Sequence, residues 1–355
     1  MVGTKAVRLA IVGCGEVTMH KHLPALRRVP GVEIAAVADL DENRRNAVGQ
    51  RFGIARRYAD AGRLLDQAEV DAVGVCVPPA RHAEVALAAI RAGKHVWVDK
   101  PLTLDRAECV QLLEQSRRSE VKVMVGFHMR FHRLVQAALP LIRGGALGAI
   151  ETIRCVWNSP RRDEGIPSWR RRREEGGGAL IEIGVHHYDL WRFLLASEVR
   201  EVFARSRDGT RDDEAAIVSA VMENGVLAAA VLSERTSHEI EVEISGSQGR
   251  LRLSLLRFDG FEFYSSTDVP GRPGTRLKRL RGFVGSLPVG IATALRGGSD
   301  YLDSYRAAWS HFVNAIALGG PVQPALEDGV RATEVLLAVA GSRAAGLPVL
   351  VRGEA

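Results

Sequence analysis

The sequence predicts an α/β protein of two domains: an N-terminal doubly wound parallel sheet, and a C-terminal α+β domain with a large open, mostly antiparallel sheet. Up to residue 127, short apolar runs alternate with amphipathic helical patterns, as in a parallel sheet that helices cover on both faces. After residue 128, apolar residues alternate with a period of two, which indicates antiparallel strands. The chain has 355 residues, about the length of two domains that each bury a core.

The first domain, 1–127, is predicted from a repeated strand–helix–strand pattern. Its first strand is VRLAIV at 7–12, and the strand VEIAAVAD at 32–39 follows after one helical pattern. The later strands are expected near 55–58, 70–78, 95–101 and 122–127, and the helices near 42–52, 61–68, 83–92 and 105–119.

The second domain, 128–355, is predicted to begin with helices near 133–143 and 178–195. Alternating segments follow, and Asn224-Gly225 is a strong hairpin signal between two of them. The stretch 268–298, rich in Pro, Gly and Arg, is expected to be a long surface excursion. The last predicted helix, at about 328–345, is expected to pack back on the first domain.

Composition and charge exclude several classes of protein. The chain is 46% hydrophobic and 25% charged, which is typical of an ordered soluble protein. It has no apolar stretch near the roughly 20 residues of a membrane span, so we expect a cytoplasmic protein without a membrane partner. The four cysteines, Cys14, Cys76, Cys109 and Cys155, lie far apart and predict neither disulfides nor a metal site.

Two arginine-rich clusters account for much of the net charge of +6, one ahead of Gly176 and one between Arg272 and Arg281. No nucleic-acid-binding motif accompanies them, so no nucleic-acid partner is predicted. We interpret both clusters as solvated loops or as an anion-facing rim of a substrate site.

The glycine turn VGCGEV at 12–17 predicts a dinucleotide site. Gly13 and Gly15 allow the backbone to approach a pyrophosphate at the N-terminus of the helix that Glu16 and Val17 begin. Such a turn alone is weak evidence, but it lies between a predicted strand and a helix. The unit is therefore predicted to be a Rossmann fold.

Asp39 ends the next predicted strand, where a carboxylate accepts hydrogen bonds from the ribose hydroxyls of NAD and repels the 2′-phosphate of NADP. NAD is therefore the predicted cofactor, although Arg44 leaves NADP possible. Thr18 stands where the third glycine or alanine of the pattern is expected, and it should move the helix slightly away from the strand.

Several motifs in a fixed order resemble the Gfo/Idh/MocA family of oxidoreductases, which includes glucose-fructose oxidoreductase and inositol dehydrogenase. The resemblance covers nearly the whole chain. It implies a nicotinamide-dependent enzyme, and a homodimer or homotetramer built through the open sheet, whose apolar face would carry Val218, Ala220, Leu227 or their neighbours. The motifs are CVPP at 76–79, RHAEVALAAIRAGKHV, DKP at 99–101, GFHMRF at 126–131, GGG…GxHHxD from Gly176, and LEDGVRATEVLLA at 326–338.

The lysine of the family's Glu-Lys-Pro element matches Lys100, with Asp99 in place of the glutamate. The resemblance implies that Lys100 is catalytic and touches both cofactor and substrate. An ammonium beside a substrate hydroxyl stabilises the negative charge that develops on oxygen as hydride leaves carbon. Pro78 and His82 are expected to line the nicotinamide pocket.

The family's Asp-x-x-x-His pair matches Glu182 and His186, which a spacing of four places on one helical face. His186 is the expected general base and Glu182 the carboxylate that orients it, although glutamate is one methylene longer than aspartate. Asp189 matches an aspartate that contacts substrate, and Arg130 and Trp169 are further candidates for substrate contact. The neighbouring His187 is interpreted as a packing residue.

The function predicted from the sequence is an NAD(P)-dependent dehydrogenase that oxidises a CH–OH group of a sugar, polyol or sugar-derived compound. One alternative is an NAD-dependent glycosidase or epimerase that oxidises a carbon transiently and regenerates its cofactor. Another is a regulator without catalysis that senses a dinucleotide or a sugar. The presence of Lys100 and His186 favours an enzyme, because a sensor has no need of a proton relay.

Overall fold

The computed structural model describes residues 6–161, 163–269, 271–295 and 299–351. The chain divides into two compact units. Unit 1 consists of Met1–His128, Glu174–Gly176 and Tyr305–Thr333, and unit 2 consists of Met129–Arg173, Gly177–Ser304 and Glu334–Ala355.

Unit 1 contains a six-stranded parallel sheet with the strand order β3-β2-β1-β4-β5-β6. The strands are β1 Val7–Val12, β2 Val32–Ala38, β3 Arg56–Tyr58, β4 Ala72–Val75, β5 His95–Val98 and β6 Val123–Val125. The order reverses between β1 and β4, which is where doubly wound folds bind nucleotides. The predicted parallel sheet is confirmed.

Helices connect these strands, and aspartates begin three of them. The helices are α1 Leu23–Leu26, α2 Glu42–Phe52, α3 Ala61–Gln67, α4 His82–Arg91 and α5 Arg106–Arg117. The side chains of Asp41, Asp60 and Asp105 accept a backbone N–H from the first turn of α2, α3 and α5, respectively. These N-caps satisfy helix-end donors, which is why the three helices begin where they do.

Later parts of the chain complete the core of unit 1. The helix α9, Asp300–Leu318, supplies Trp309, whose ring stacks on that of Trp97 at a centroid distance of 3.9 Å. Gly74 leaves room for Trp309, because a Cβ at this position would lie 3.0 Å from the indole. Gly329 of α10, Leu326–Ala345, lies in the same way against Val125 of β6.

Unit 2 contains an eight-stranded sheet with the order β13-β12-β11-β7-β10-β9-β8-β14. The strands are β7 Ile150–Asn158, β8 Val199–Arg207, β9 Ala215–Met222, β10 Leu227–Ser233, β11 Glu239–Gly246, β12 Gly249–Ser254, β13 Phe261–Ser265 and β14 Val349–Leu350. The pairing of β7 with β10 is parallel, and the other strand pairs are antiparallel. The predicted open, mostly antiparallel sheet is confirmed.

Three helices accompany this sheet: α6 Arg133–Arg143, α7 Gly184–Leu195 and α8 Pro273–Leu295. The sequence predicted one helix over 178–195, but a π-helical turn at Ala179–Ile183 precedes α7. The stretch 268–298 contains the 23-residue helix α8 rather than only an irregular excursion. Its glycines and Pro288 hid a helical pattern, because those residue types usually interrupt helices.

The register of the sheet decides which apolar residues face outward. Val218 and Ala220 are buried, whereas Ile217, Leu227 and Val231 are 59%, 55% and 37% exposed. Of the residues expected on this face or their neighbours, the face carries Leu227 and Ile217, the neighbour of Val218, whereas Val218 and Ala220 themselves are buried. A period of two shows that faces alternate, but a shift of one residue exchanges them.

Candidate functional site

The glycine turn of unit 1 combines one crowded position with one open position. Gly13 has a φ of 103°, and a Cβ there would overlap the carbonyl oxygen of Cys76. Gly15 has no atom within 4 Å of the place that a Cβ would occupy. The backbone at Gly15 is therefore open to close approach by a ligand, at the start of the helical segment that begins at Glu16. This arrangement fits a dinucleotide pyrophosphate.

Asp39 follows β2 and supports the glycine turn. Its Oδ2 accepts the backbone N–H of Cys14 at 2.7 Å, and its Oδ1 accepts the N–H of Asp41 at 2.8 Å. Burial, with a further contribution from Asp39, raises the pKa of the Cys14 thiol to about 12, so this cysteine stays protonated. Arg44, which left NADP possible, pairs with Asp41 at 3.4 Å.

Thr18 is accommodated by a change of helix geometry. Its Oγ1 donates a hydrogen bond to the carbonyl oxygen of Gly13 at 2.7 Å, and the residue is buried. The segment Thr18–His22 is π-helical. A β-branched residue thus occupies the place of a glycine because the turn is widened and its hydroxyl is bonded.

Lys100 follows β5, and its main chain is held by its neighbour. Asp99 Oδ1 accepts the backbone N–H of Lys100 at 3.0 Å, and Oδ2 lies 3.2 Å from Nε2 of His22. Burial alone would raise the pKa of Asp99, but His22 and Lys100 hold it well below its usual range. The Lys100–Pro101 peptide bond is cis.

His82 joins two of the loops at this edge of the sheet. Its Nδ1 lies 2.6 Å from the carbonyl oxygen of Pro101, and its Nε2 lies 2.9 Å from that of Val77. Burial lowers the pKa of His82, and a neutral ring can donate to only one of the two carbonyls at a time. Pro78 follows Val77 in the same loop and precedes the 3₁₀ turn Pro79–Arg81.

In unit 2, His186 is buried in α7 and stacks on Trp157 of β7, with ring centroids 5.1 Å apart and an interplanar angle of 19°. Trp157 also meets His187 edge-on at 5.9 Å and Tyr301 edge-on at 6.3 Å. The sequence analysis missed Trp157, because it lies in a strand with no local pattern that connects it to α7.

Glu182 is held by arginines from the cluster ahead of Gly176, which we interpreted from the sequence as a solvated loop or an anion-facing rim of a substrate site. Arg161 donates to both of its carboxylate oxygens at 2.5 and 2.9 Å, and Arg170 lies 3.2 Å away. Burial would lower the pKa of Arg161, but Glu182 and Glu234 hold it above its usual range. The Arg170 guanidinium also lies 5.2 Å from the centre of the Trp169 ring. Arg161 and Arg170 thus neutralise buried carboxylates.

Arg130 and Asp189 form a buried bidentate pair. The guanidinium donates to the two carboxylate oxygens at 2.8 and 2.5 Å. The same guanidinium lies 4.8 Å from the centre of the Phe193 ring. Two of the expected substrate contacts of unit 2, Arg130 and Asp189, are therefore partners of each other.

The predicted site residues thus fall into two groups. Unit 1 brings the glycine turn, Asp39, His82 and Lys100 to the carboxyl edge of its sheet, and unit 2 contains Arg130, Trp169, Glu182, His186 and Asp189. Across the described ranges, no three His, Cys, Asp or Glu side chains are grouped as metal ligands. No helix in the described part of the chain is both long and apolar enough to cross a membrane.

Two family models match the chain. The model described as "Oxidoreductase family, NAD-binding Rossmann fold" matches residues 7–127, and the "GFO/IDH/MocA C-terminal domain" matches residues 135–252. Myo-inositol 2-dehydrogenase of Thermotoga maritima is 26% identical over 91% of this chain and 92% of its own length. A dTDP-3,4-didehydro-2,6-dideoxy-alpha-D-glucose 3-reductase of Streptomyces violaceoruber is 31% identical over 70% of this chain and 73% of its own length.

Solved structures have the same fold. WlbA dehydrogenase of Bordetella pertussis, in complex with NADH and UDP-GlcNAcA, superposes with a TM-score of 0.83 at 18% identity, covering 100% of both chains. Levoglucosan dehydrogenase, in complex with NADH and L-sorbose, has a TM-score of 0.80 at 21% identity, covering 99% of this chain and 100% of the other.

The buried His187 predicts a loss of stability in acid. Burial lowers its pKa from 6.5 to about 3, and neither ring nitrogen has a hydrogen-bond partner among the described residues. Below about pH 6.5, His187 therefore binds a proton in the unfolded chain but not in the folded chain. The contribution of neutral His187 to the free energy of unfolding is complete above that pH. As the pH drops towards 4, this contribution falls by about 1 kcal/mol per pH unit.

Urea unfolding of the wild type and of His187→Asn between about pH 7.5 and 4.5 measures this loss. The free energy of unfolding of the variant should depend less steeply on pH, because asparagine takes up no proton. The exposed His20 provides the matched control, and His20→Asn should keep the wild-type slope. Parallel slopes for wild type and His187→Asn would contradict the prediction.

Proposed function

Because this chain belongs to the Gfo/Idh/MocA family of oxidoreductases and is an NAD-binding dehydrogenase, we propose that it oxidises a hydroxyl group of a sugar, polyol or sugar-derived compound. The relatives support this substrate class, since their names include an inositol dehydrogenase and a reductase of a dTDP-linked sugar. We further propose a cytoplasmic enzyme that acts as a homodimer or homotetramer.

The observation that carries the proposal is the common position of the glycine turn and Lys100. They follow β1 and β5, and both strands are parallel neighbours of β4. Parallel strands have their carboxyl ends at one edge of the sheet, so the lysine lies at the edge that accepts a dinucleotide. NAD bound there supplies a hydride acceptor.

Lys100 stabilises the oxygen of the reacting hydroxyl. An ammonium group favours negative charge on that oxygen, which grows as the C–H bond to the same carbon breaks. Asp99 fixes the main chain of Lys100 through a 3.0 Å hydrogen bond, so the side chain that carries the ammonium starts from a fixed backbone position. His82 supports the following residue, because it contacts the carbonyl oxygen of Pro101.

His186 accepts the proton of the hydroxyl group. Its ring is aligned by stacking on Trp157, which restricts its rotation. Glu182, four residues earlier, orients this base, and Arg161 and Arg170 hold its carboxylate in place. Asp189 and Arg130 limit the space beside the base as a rigid pair, and Trp169 adds an apolar contact for the carbon skeleton of the substrate.

A screen for NADH fluorescence with sugars, inositols, sugar acids and nucleotide sugars tests the reaction class. Net NADH production with one of them supports the proposal. Turnover without net NADH, in protein that retains NAD through gel filtration, would instead favour the glycosidase or epimerase alternative. The absence of both activities with every compound would count against the proposed substrate class.

Removal of the Lys100 ammonium should abolish most of the activity. We expect Lys100→Met to lower kcat by about a hundredfold or more, which is the usual effect of losing a positioned acid–base or electrostatic group. The dissociation constant of NAD should stay near that of the wild type. Steady-state kinetics and NAD titration measure both values.

Lys94→Met is the matched control, since Lys94 immediately precedes β5 and therefore lies at the opposite end of that strand. It should leave kcat unchanged. Near-normal turnover of Lys100→Met would show that Lys100 has no catalytic role.

The pH dependence of kcat/KM tests the roles of the two histidines. His186 must be neutral to accept a proton, so oxidation should slow in acid, and His186→Asn should remove this limb of the profile. Glu182→Gln should lower turnover less than His186→Asn, because it weakens orientation without deleting the base. His187→Asn should keep the limb, since burial already holds the pKa of His187 at about 3. Loss of the limb in His187→Asn, with retention in His186→Asn, would reverse the assignment.

The outward apolar face of the unit 2 sheet should be the contact between copies of the chain. Ile217 and Val231 are direct cross-strand partners and Leu227 lies on the same face, so a second copy would bury them together. We expect the wild type to be a dimer or tetramer by light scattering at micromolar concentration. Leu227→Glu should shift it towards smaller species, because a carboxylate in that contact would be buried without a partner.

Leu318→Glu is the control for this prediction, since Leu318 is 74% exposed at the end of α9 and lies outside the sheet. It should leave the assembly intact. A monomeric wild type under these conditions would contradict the proposed contact.

A further inference from the structure

A chain of hydrogen bonds in unit 1 leads from α9 to Lys100. The indole Nε1–H of Trp309 donates to Nδ1 of His22 at 3.1 Å, and Nε2 of His22 lies 3.2 Å from Oδ2 of Asp99. Asp99 Oδ1 accepts the backbone N–H of Lys100 at 3.0 Å. His22 and Trp309 are both 0% exposed. The Trp309–His22 hydrogen bond is therefore closed to water, whereas Asp99 and Lys100 are half-buried at the edge of the sheet.

From this geometry we propose that His22 is a positioning residue for the reaction: it holds the Asp99 carboxylate in the orientation that fixes Lys100. The inference rests on the proposed role of Lys100. It gives His22 no contact with substrate or cofactor, so the expected effect is on the placement and charge of Lys100.

The hydrogen bond from Trp309 determines the protonation of the His22 ring. An indole N–H can only donate, so Nδ1 of His22 must be the unprotonated acceptor. The proton then lies on Nε2, which donates to the Asp99 carboxylate. Against the effect of burial, Cys76 and Asp99 raise the pKa of His22, but a second proton on Nδ1 would face the indole N–H of Trp309, so this hydrogen bond favours a neutral ring in a single tautomer. Trp309 thus ensures that the donor points at Asp99.

The groups around His22 come from several elements of unit 1. Burial of the ring would lower the pKa of His22, but Cys76 after β4 and Asp99 after β5 act on it through charge and hydrogen bonds and raise it above its usual range. The rings of Trp97 and Tyr305 meet His22 edge-on at 6.3 and 5.2 Å. Apolar walls therefore restrict the ring to the orientation in which Nε2 reaches Asp99.

Asp99 has little freedom as long as His22 is present. A Cβ at Gly126 would lie 3.0 Å from Asp99 Oδ1, so the end of β6 closes one side of the carboxylate. The N–H of Lys100 holds the same oxygen, and His22 holds the other. Without the His22 donor, Oδ2 would lose its buried partner, and the Asp99 charge, which Lys100 already stabilises, would act more strongly on the Lys100 ammonium. A paired ammonium is less available to the substrate oxygen and keeps its proton to higher pH.

Two substitutions of His22 separate the hydrogen bond from the volume of the ring. His22→Leu fills the site but has no donor, whereas the amide nitrogen of His22→Gln can donate to Asp99. We expect His22→Leu to lower kcat by about tenfold and to move the alkaline limb of the kcat profile to higher pH. KM and the NAD dissociation constant should change by less than about threefold. His22→Gln should recover most of kcat and the wild-type limb.

The tautomer is measured directly by ¹⁵N NMR of the His22 ring in the intact protein. We expect a protonated Nε2 and an unprotonated Nδ1 between about pH 6 and 8 in the wild type. In Trp309→Phe the second proton should bind at higher pH than in the wild type, because Nδ1 is released. This variant retains an aromatic ring, and it tests the inference even if His22→Leu does not fold. A doubly protonated wild-type ring would overturn the tautomer and the inference.

The kinetic outcomes distinguish this inference from the proposed function. If Lys100→Met is inactive while His22→Leu has wild-type kcat and an unchanged alkaline limb, only the role of His22 is wrong. Equal losses in His22→Leu and His22→Gln, with no shift of the limb, would reduce His22 to a packing residue. If Lys100→Met is fully active, the proposed function fails and this inference fails with it.

Discussion

The parallel alignment of β1, β4 and β5 is the constraint on which the cofactor edge of unit 1 depends. It brings three loops to one edge, where main-chain groups leave the sheet and need other partners. Side chains supply them: Asp39 binds the glycine turn, His82 contacts the loops after β4 and β5, and Asp99 binds Lys100. The loops at this edge are therefore held in place by the protein itself, so cofactor binding costs less conformational entropy.

In unit 2, several charged side chains beside α7 are buried away from water. Each buried carboxylate near the helix has an arginine at hydrogen-bonding distance: Arg161 for Glu182 and Arg130 for Asp189. Breaking one such pair leaves a buried charge, which costs far more than the pair itself contributes. These pairs therefore favour a single arrangement of the residues around His186, whose own ring is fixed by Trp157.

The sequence predicted the features that depend on local periodicity and on motifs. The parallel unit, the open sheet, the Asn224-Gly225 hairpin and the cysteines without disulfides follow from patterns within a few residues. The outward face of β9 and the helix α8 did not, because register and tertiary contacts decide them. Among the site residues, the partners of Lys100 and His186 were missed. Trp309 lies 287 positions from His22, and such a separation leaves no trace in one sequence.

The position of β7 has a consequence for how the second unit folds. Strands β8, β9 and β10 form one series of neighbouring antiparallel pairs, and β11, β12 and β13 form another, with β7 between them. Short connections join the strands within each series. Thr152 of β7 instead pairs with Leu227 of β10, and α7, β8 and β9 lie between these two residues in the sequence. Long closures cost more entropy, so we expect the two hairpin groups to form before β7 joins them. The same long closure places Trp157 beside His186 of α7.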